Sequence, residues 1–166
     1  MKLRTLVAAT SILSFNIHKV SGTSQGQASS DKIYVNAYIP DSPSIPNNTP
    51  SSVSTWVKRN DSHNAFNTST GTFTAPRSMV ITHVVGSVLF NANVSGIRRI
   101  LLKINSNFEY EVIWPGNSSL ISNNVNASGI SLKAGDTVQV LYLQDSGGAL
   151  TLVTTGSCNF FTLVGE

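Results

Sequence analysis

The sequence predicts an all-β protein, and three observations carry that prediction. Charged residues make up only 11% of the 166 residues while apolar residues reach 40%, a balance that disfavours charged amphipathic helices. From Ser51 onward, short apolar runs alternate with Gly, Pro, Asn and Ser, as in sandwiches and barrels. Roughly ten such runs fit a single domain of about 110 to 120 residues, and they require two packed antiparallel sheets.

The first 50 residues predict an extended N-terminal arm and a linker. Residues 5–20 mix β-formers with small polar residues and have no helical period, which indicates a segment that orders only against a partner. Three basic residues precede the first acidic one, Asp31, so the arm is mildly cationic. Alternatively, residues 1–22 are a cleaved signal peptide, with Val20, Ser21 and Gly22 at the cleavage site.

A strand and a proline-rich stretch follow the arm. Residues 33–39 alternate and predict a strand with Ile33, Val35, Ala37 and Ile39 on one side. Prolines at positions 40, 43, 46 and 50 then interrupt any regular hydrogen-bond ladder. This stretch predicts a stiff linker and a division into an arm with linker, residues 1–50, and a domain, residues 51–166.

Within the domain, apolar runs bounded by turn residues mark the predicted strands. They span residues 53–58, 65–66, 71–74, 79–85, 87–94, 97–104, 108–114, 129–132, 137–143, 149–154 and 159–164. Gly86 separates two of these strands. Pro115, Gly116 and Asn117 predict a turn, because Pro fixes φ and Gly then permits an unusual backbone conformation.

Two stretches carry a resemblance to a known family. The first is AFNTSTGTFTAP at residues 65–76, and the second runs from LKAGDTVQV at 132–140 to the terminal strand FFTLV at 160–164. Together they resemble the globular head domain of the first complement component and its tumour-necrosis-factor-like relatives. The resemblance covers about Ser51 to Glu166 and implies a ten-stranded antiparallel jelly-roll sandwich that forms compact homotrimers.

The resemblance also implies an assembly. It places Tyr142, Phe160 and Phe161 in strands near a three-fold axis, where they are expected to form the trimer interface. No collagen-like repeat precedes the domain. Similar heads without collagen look like those of bacteriophage fibres and capsid decorations, in which a short N-terminal arm fastens a trimeric knob to the particle.

The function expected from the sequence is therefore binding. The first interpretation is a non-enzymatic, trimeric virion protein, a phage capsid decoration (cement) protein or head-fibre knob. Its arm would bind the major capsid or another virion protein, and its knob a host-surface glycan or protein. The anchoring residues would each contribute about 1 to 3 kcal/mol when buried; they are Leu3, Leu6, Val7, Ile12, Leu13 and Phe15. The alternative is a secreted trimeric ligand or adhesin of complement-head type with a cleaved signal peptide.

No catalytic residue is predicted. Asp61, Ser62 and His63 are adjacent in sequence, and neighbours in an extended chain point apart, whereas a triad needs its members in line. Glu109 and Glu111 share a strand face at period two, as a pair of catalytic carboxylates could. They are interpreted as solvent-exposed strand residues without a catalytic role.

No cofactor, metal, nucleic acid or membrane span is predicted either. Asp136 and Asp145 are the acidic candidates for calcium, but such a site needs six to eight oxygens. The basic residues form no tract interleaved with aromatics, which disfavours nucleic acid. No apolar run approaches the roughly 20 residues that cross a bilayer.

Overall fold

A computed structural model describes residues 32–154 and 158–166 of the chain. Within these ranges thirteen strands pair antiparallel, and there is no helix. The strands are β1 (Ile33–Tyr38), β2 (Ser44–Ile45), β3 (Val57–Asp61), β4 (Phe66–Asn67), β5 (Thr72–Thr74), β6 (Met79–Phe90), β7 (Asn93–Ile104), β8 (Asn107–Asn117), β9 (Ile121–Ala127), β10 (Ile130–Leu132), β11 (Thr137–Gln144), β12 (Leu150–Thr151) and β13 (Phe160–Gly165).

Two sheets face each other. Sheet one has the order β10-β6-β13-β1-β3, with β9 paired to the remaining length of β6, and sheet two has the order β4-β5-β11-β7-β8. Because β9 and β10 share one side of β6, each sheet is effectively five strands wide. The short strands β2 and β12 form a separate pair. This arrangement confirms the predicted all-β, ten-stranded antiparallel jelly roll.

The core lies between the sheets and follows from strand alternation. In β1, Ile33, Val35 and Ala37 are buried while the residues between them are half-buried. Opposite them in β13, Leu163 pairs with Val35 and Phe161 pairs with Ala37, and both are buried as well. Because side chains alternate across a strand, the same strands present a second, outward row.

Aromatic rings join the two sheets at one end of the sandwich. Phe66 of β4 stacks on Phe161 of β13 with ring centroids 5.3 Å apart and planes 19° from parallel. Trp56 meets Phe66 edge-on at 5.7 Å. All three rings are at least nine-tenths buried, so they form a continuous apolar contact from one sheet to the other.

The division near Ser51 does not coincide with the start of the sandwich. β1 lies inside sheet one, hydrogen-bonded on one side to β13 and on the other to β3. The proline-rich stretch also packs on the domain, because Ile45 of β2 is buried and pairs with Leu150. Prolines are compatible with this packing since β2 contributes only two ladder residues. The arm itself, residues 1–31, lies outside the described residues.

Two glycines have different roles from those predicted. Gly86 does not divide residues 79–94, because β6 runs through it; a Cβ there would lie 2.8 Å from Val140 of the facing sheet. Pro115 and Gly116 lie within β8, and the turn comes after Asn117. A bulge in β7 carries its backbone over Gly116, where a Cβ would lie 2.6 Å from the Asn93 carbonyl oxygen. Both glycines therefore permit close approach of other chain segments.

Candidate functional site

The outer face of sheet one is the first candidate site. It consists of the outward row of four neighbouring strands: Tyr34, Asn36 and Tyr38 of β1; His83, Val85, Ser87 and Leu89 of β6; Ser122, Asn124 and Asn126 of β9; and Phe160, Thr162 and Val164 of β13. The pairings Tyr38↔Phe160 and Asn36↔Thr162 place aromatic and polar side chains in adjacent rows across the sheet.

This outer face carries the chemistry of a protein–protein interface. Among these positions there is no Asp, Glu, Lys or Arg. Tyr34, Tyr38 and Phe160 are half-buried, and the Arg59 guanidinium of the edge strand β3 lies 4.5 Å from the centre of the Tyr38 ring. Interface cores are depleted of charge and enriched in Tyr, Phe and Arg. The outer face of sheet one therefore fits a surface that another protein covers.

One polar atom of this face lacks a partner. The Asn36 amide Nδ2 donates to the Thr162 hydroxyl at 3.0 Å. Its carbonyl oxygen, Oδ1, is buried and accepts no hydrogen bond from the described residues. Buried polar atoms are paired in most proteins, and a donor from a second molecule would pair this one.

The three residues predicted for the trimer interface lie in different places. Phe160 belongs to the outer face of sheet one and is half-buried. Tyr142 and Phe161 are completely buried in the core of the single chain, and burial raises the pKa of the Tyr142 hydroxyl far above its ordinary value. The predicted anchoring residues, Leu3, Leu6, Val7, Ile12, Leu13 and Phe15, lie outside the described residues.

The outer face of sheet two is charged instead. Arg99 of β7 pairs with Glu111 of β8, with 2.9 Å between the guanidinium Nη1 and the carboxylate. Glu109, the other acid considered for catalysis, lies at a bulge where the β7–β8 register shifts, and it is exposed.

The turn after β3 brings Ser62 and His63 together, against the prediction. The Ser62 Oγ lies 2.7 Å from His63 Nδ1, because the chain turns sharply here instead of staying extended. The Ser62 oxygen also accepts the Tyr34 backbone N–H at 3.0 Å. The Asp61 carboxylate accepts the backbone N–H groups of Ala65 and Phe66 at 2.9 and 3.0 Å.

Asp61 instead stabilises the turn. Burial raises the pKa of this carboxyl, but the backbone donors Phe66 and Ala65 and the ammonium of Lys58 outweigh burial and hold the pKa below its usual value of 3.8. The Asp61 side chain is only 3% exposed, and Lys58 Nζ lies 3.1 Å from Oδ2. Donors to the charged form lower a carboxyl pKa in this way.

We expect Asp61→Asn to destabilise the fold by about 1 to 3 kcal/mol near neutral pH, because the new NH₂ group would face a backbone donor. Since the folded-state pKa is depressed, the stability that Asp61 contributes is present above its unfolded-state pKa. It is lost as the pH falls through the folded-state pKa. Urea unfolding should therefore show that the difference in free energy of unfolding between the wild type and Asp61→Asn narrows below about pH 4. A difference that does not change with pH would contradict this role.

The two calcium candidates serve as local hydrogen-bond acceptors. Asp136 accepts the Lys133 backbone N–H at 2.7 Å and an Asn105 amide N–H at 3.2 Å. Asp145, at the far end of β11, accepts the Ile97 backbone N–H. The eight residues of β11 lie between the two acids in extended chain, which places them about 30 Å apart. Across residues 32–154 and 158–166, no group of three or more His, Cys, Asp or Glu side chains could hold a metal.

Sequence reasoning missed a buried arginine. The Arg98 guanidinium donates to the backbone oxygens of Asn93, Ser95 and Ile97 at 2.9 to 3.0 Å, and the residue is 2% exposed. Burial lowers its pKa, while nearby Asp145 raises it. Side chains of a strand alternate between its two faces, so Arg98 lies on the same inward side as Ile100. Alternation along β7 could therefore have predicted that Arg98 is buried.

Solved structures share this antiparallel jelly roll, and they define the fold as tumour-necrosis-factor-like and complement-head-like. Eiger, a tumour necrosis factor from S. frugiperda, matches with a TM-score of 0.57 and 14% identity over 81% of this chain and 92% of its own. Murine APRIL matches at 0.59 and 13%, over 81% and 99%. The globular domain of zebrafish complement 1qA matches at 0.52 and 14%, over 80% and 94%. These likenesses confirm the predicted fold.

At the level of sequence, no family model and no curated protein matches the chain. In the described ranges the structure contains no helix of the length and apolarity needed to cross a membrane.

Proposed function

We propose that this chain is a non-enzymatic binding module that assembles as a homotrimer through the outer face of sheet one. The observation that carries the proposal is this face itself, which has no Asp, Glu, Lys or Arg, is lined by half-buried aromatic rings and has a buried unpaired acceptor at Asn36. The number three follows from the resemblance to complement heads and their relatives. A binding role is supported because Asp61 and Glu111 are already engaged in structural contacts.

We expect Thr162→Lys to prevent assembly. Thr162 lies on the central strand β13 of the outer face of sheet one, and a lysine there would place three like charges in a desolvated interface. Light scattering coupled to gel filtration should return three times 17.7 kDa for the wild type and 17.7 kDa for the variant.

Thr72→Lys is the matched control. Thr72 is also a half-buried threonine in a strand, but it lies beside the buried Phe73 and faces outward from sheet two. The Thr72→Lys protein should keep the wild-type mass. A wild type that elutes with the mass of one chain would refute the trimer, and dissociation of both variants would refute the choice of face.

The trimer's setting has two candidates. The fold shared with tumour necrosis factor and complement domains favours a secreted trimeric ligand or adhesin whose first 22 residues are a cleaved signal peptide. The apolar and mildly cationic residues 2–15 favour the second, a phage capsid decoration or head-fibre knob on the virion, fastened by a retained arm. The intact mass of the native protein separates them, because only the first predicts a mature chain beginning near Thr23.

A further inference from the structure

A groove lies at the end of sheet two, beside the edge strand β4. It has a volume of about 430 Å³ and is lined by His63, Asn64, Ala65, Phe66, Asn67, Thr74 and Pro76. We infer that this edge groove binds a neutral saccharide. The inference rests on the proposed function as a binding module and names a class of ligand for it. The volume falls within the roughly 300 to 1,000 Å³ that small-ligand sites occupy.

Three backbone groups along the groove are already hydrogen-bonded, which disfavours a peptide. An open sheet edge can bind a peptide by adding a strand, but this needs free backbone groups. Here the N–H groups of Ala65 and Phe66 donate to the Asp61 carboxylate, and the Ala65 carbonyl oxygen accepts the Thr74 N–H at 2.8 Å. Recognition in the groove therefore depends on side chains.

The side chains offer uncharged hydrogen-bonding groups in fixed positions. Lys58 Nζ donates to Asn64 Oδ1 at 2.6 Å, and the Ser69 N–H donates to Asn67 Oδ1 at 2.9 Å. With their oxygens occupied, both amides retain their NH₂ groups as donors. Thr74, whose hydroxyl can donate and accept, also lines the groove.

Charge and apolar surface narrow the ligand further. The one buried acid beneath the groove, Asp61, is neutralised by Lys58 and two backbone donors, and no carboxylate lines the groove. A cationic ligand thus finds no counter-ion there. Ala65 and Pro76 supply apolar contact for the C–H face of a sugar ring, while the amides and hydroxyl match its hydroxyl groups.

Saturation-transfer NMR on the full chain tests the inference, with the methyl glycosides of glucose, galactose, mannose and N-acetylglucosamine as probes. Wild-type protein should transfer saturation to at least one glycoside. Thr74→Trp, which places an indole across the groove from an exposed position, should weaken that binding about tenfold or more. Thr151→Trp, at an exposed position in β12, is the control and should bind like wild type.

If Thr74→Trp fails to fold by circular dichroism, Thr74→Val decides the question. It removes only the hydroxyl and should weaken binding about twofold to tenfold. Transfer to none of the glycosides overturns the inference, as does binding that neither Thr74 variant weakens. Transfer to a blocked dialanine peptide alone would overturn it in favour of a peptide. Light scattering on the same samples keeps the proposals apart, because a trimer that binds no glycoside refutes the saccharide site and leaves the trimer standing.

Discussion

Phe161→Ala should destabilise the protein by about 3 to 5 kcal/mol, a large part of the roughly 5 to 15 kcal/mol that holds a typical domain folded. Phe161 is completely buried and stacks on Phe66 of the opposite sheet. Its removal therefore leaves a cavity at the contact between the sheets and also ends a ring–ring interaction. Urea unfolding at one fixed protein concentration measures the loss, because assembly makes apparent stability concentration-dependent.

Phe108→Ala is the control for this measurement. The same atoms are removed, but Phe108 is 54% exposed in β8. We expect its unfolding midpoint to stay close to that of the wild type. Similar losses in the two variants would mean that Phe161 is not a core residue.

Gly71→Ala should lower the free energy of unfolding by several kcal/mol, for two reasons that can be separated. Gly71 has φ of 64°, a region that costs other residues about 1 to 2 kcal/mol. A Cβ at this position would also lie 2.4 Å from the Trp56 ring nitrogen, so the buried indole must move. Overpacking of this kind typically adds about 1 to 3 kcal/mol.

Gly129→Ala isolates the backbone contribution. Gly129 has a similar φ of 71°, but no heavy atom lies within 4 Å of its added Cβ. Thermal unfolding should therefore give a clearly larger loss for Gly71→Ala, accompanied by a change in near-ultraviolet circular dichroism from Trp56. Equal losses of stability in the two variants would show that the Trp56 indole moves without lowering the free energy of unfolding.

Alternation made much of the fold predictable. The strand at residues 33–39, the short strands flanking Gly71 and the terminal strand follow from local patterns of apolar residues and turns. β9 could not be found in this way, because Ser122, Asn124 and Asn126 make its outward row polar and little of the strand is buried. Its place is set by pairing with β6, a contact that no local window contains.

The candidate sites were less accessible to sequence reasoning, and for a physical reason. The expectation that Ser62 and His63 point apart holds for an extended chain, whereas the structure has a turn there. The outer face of sheet one draws its residues from four strands between Tyr34 and Val164, so the absence of Asp, Glu, Lys and Arg emerges only when those strands are paired. The prolines likewise suggested a domain boundary near Ser51, whereas β1, which precedes that position, pairs with β13 and β3 inside sheet one.

The pairing of β1 with β13 also constrains the order of folding. Ile33 lies opposite Gly165, so nearly the whole domain separates two strands that are neighbours in sheet one. During synthesis, β1 is made first and must remain without this neighbour until the last strand has left the ribosome. Contacts so distant in sequence slow folding, because chain entropy is lost before they form. Sheet two joins strands between Phe66 and Gln144 and does not have to wait for β13, so it can form while sheet one is still incomplete.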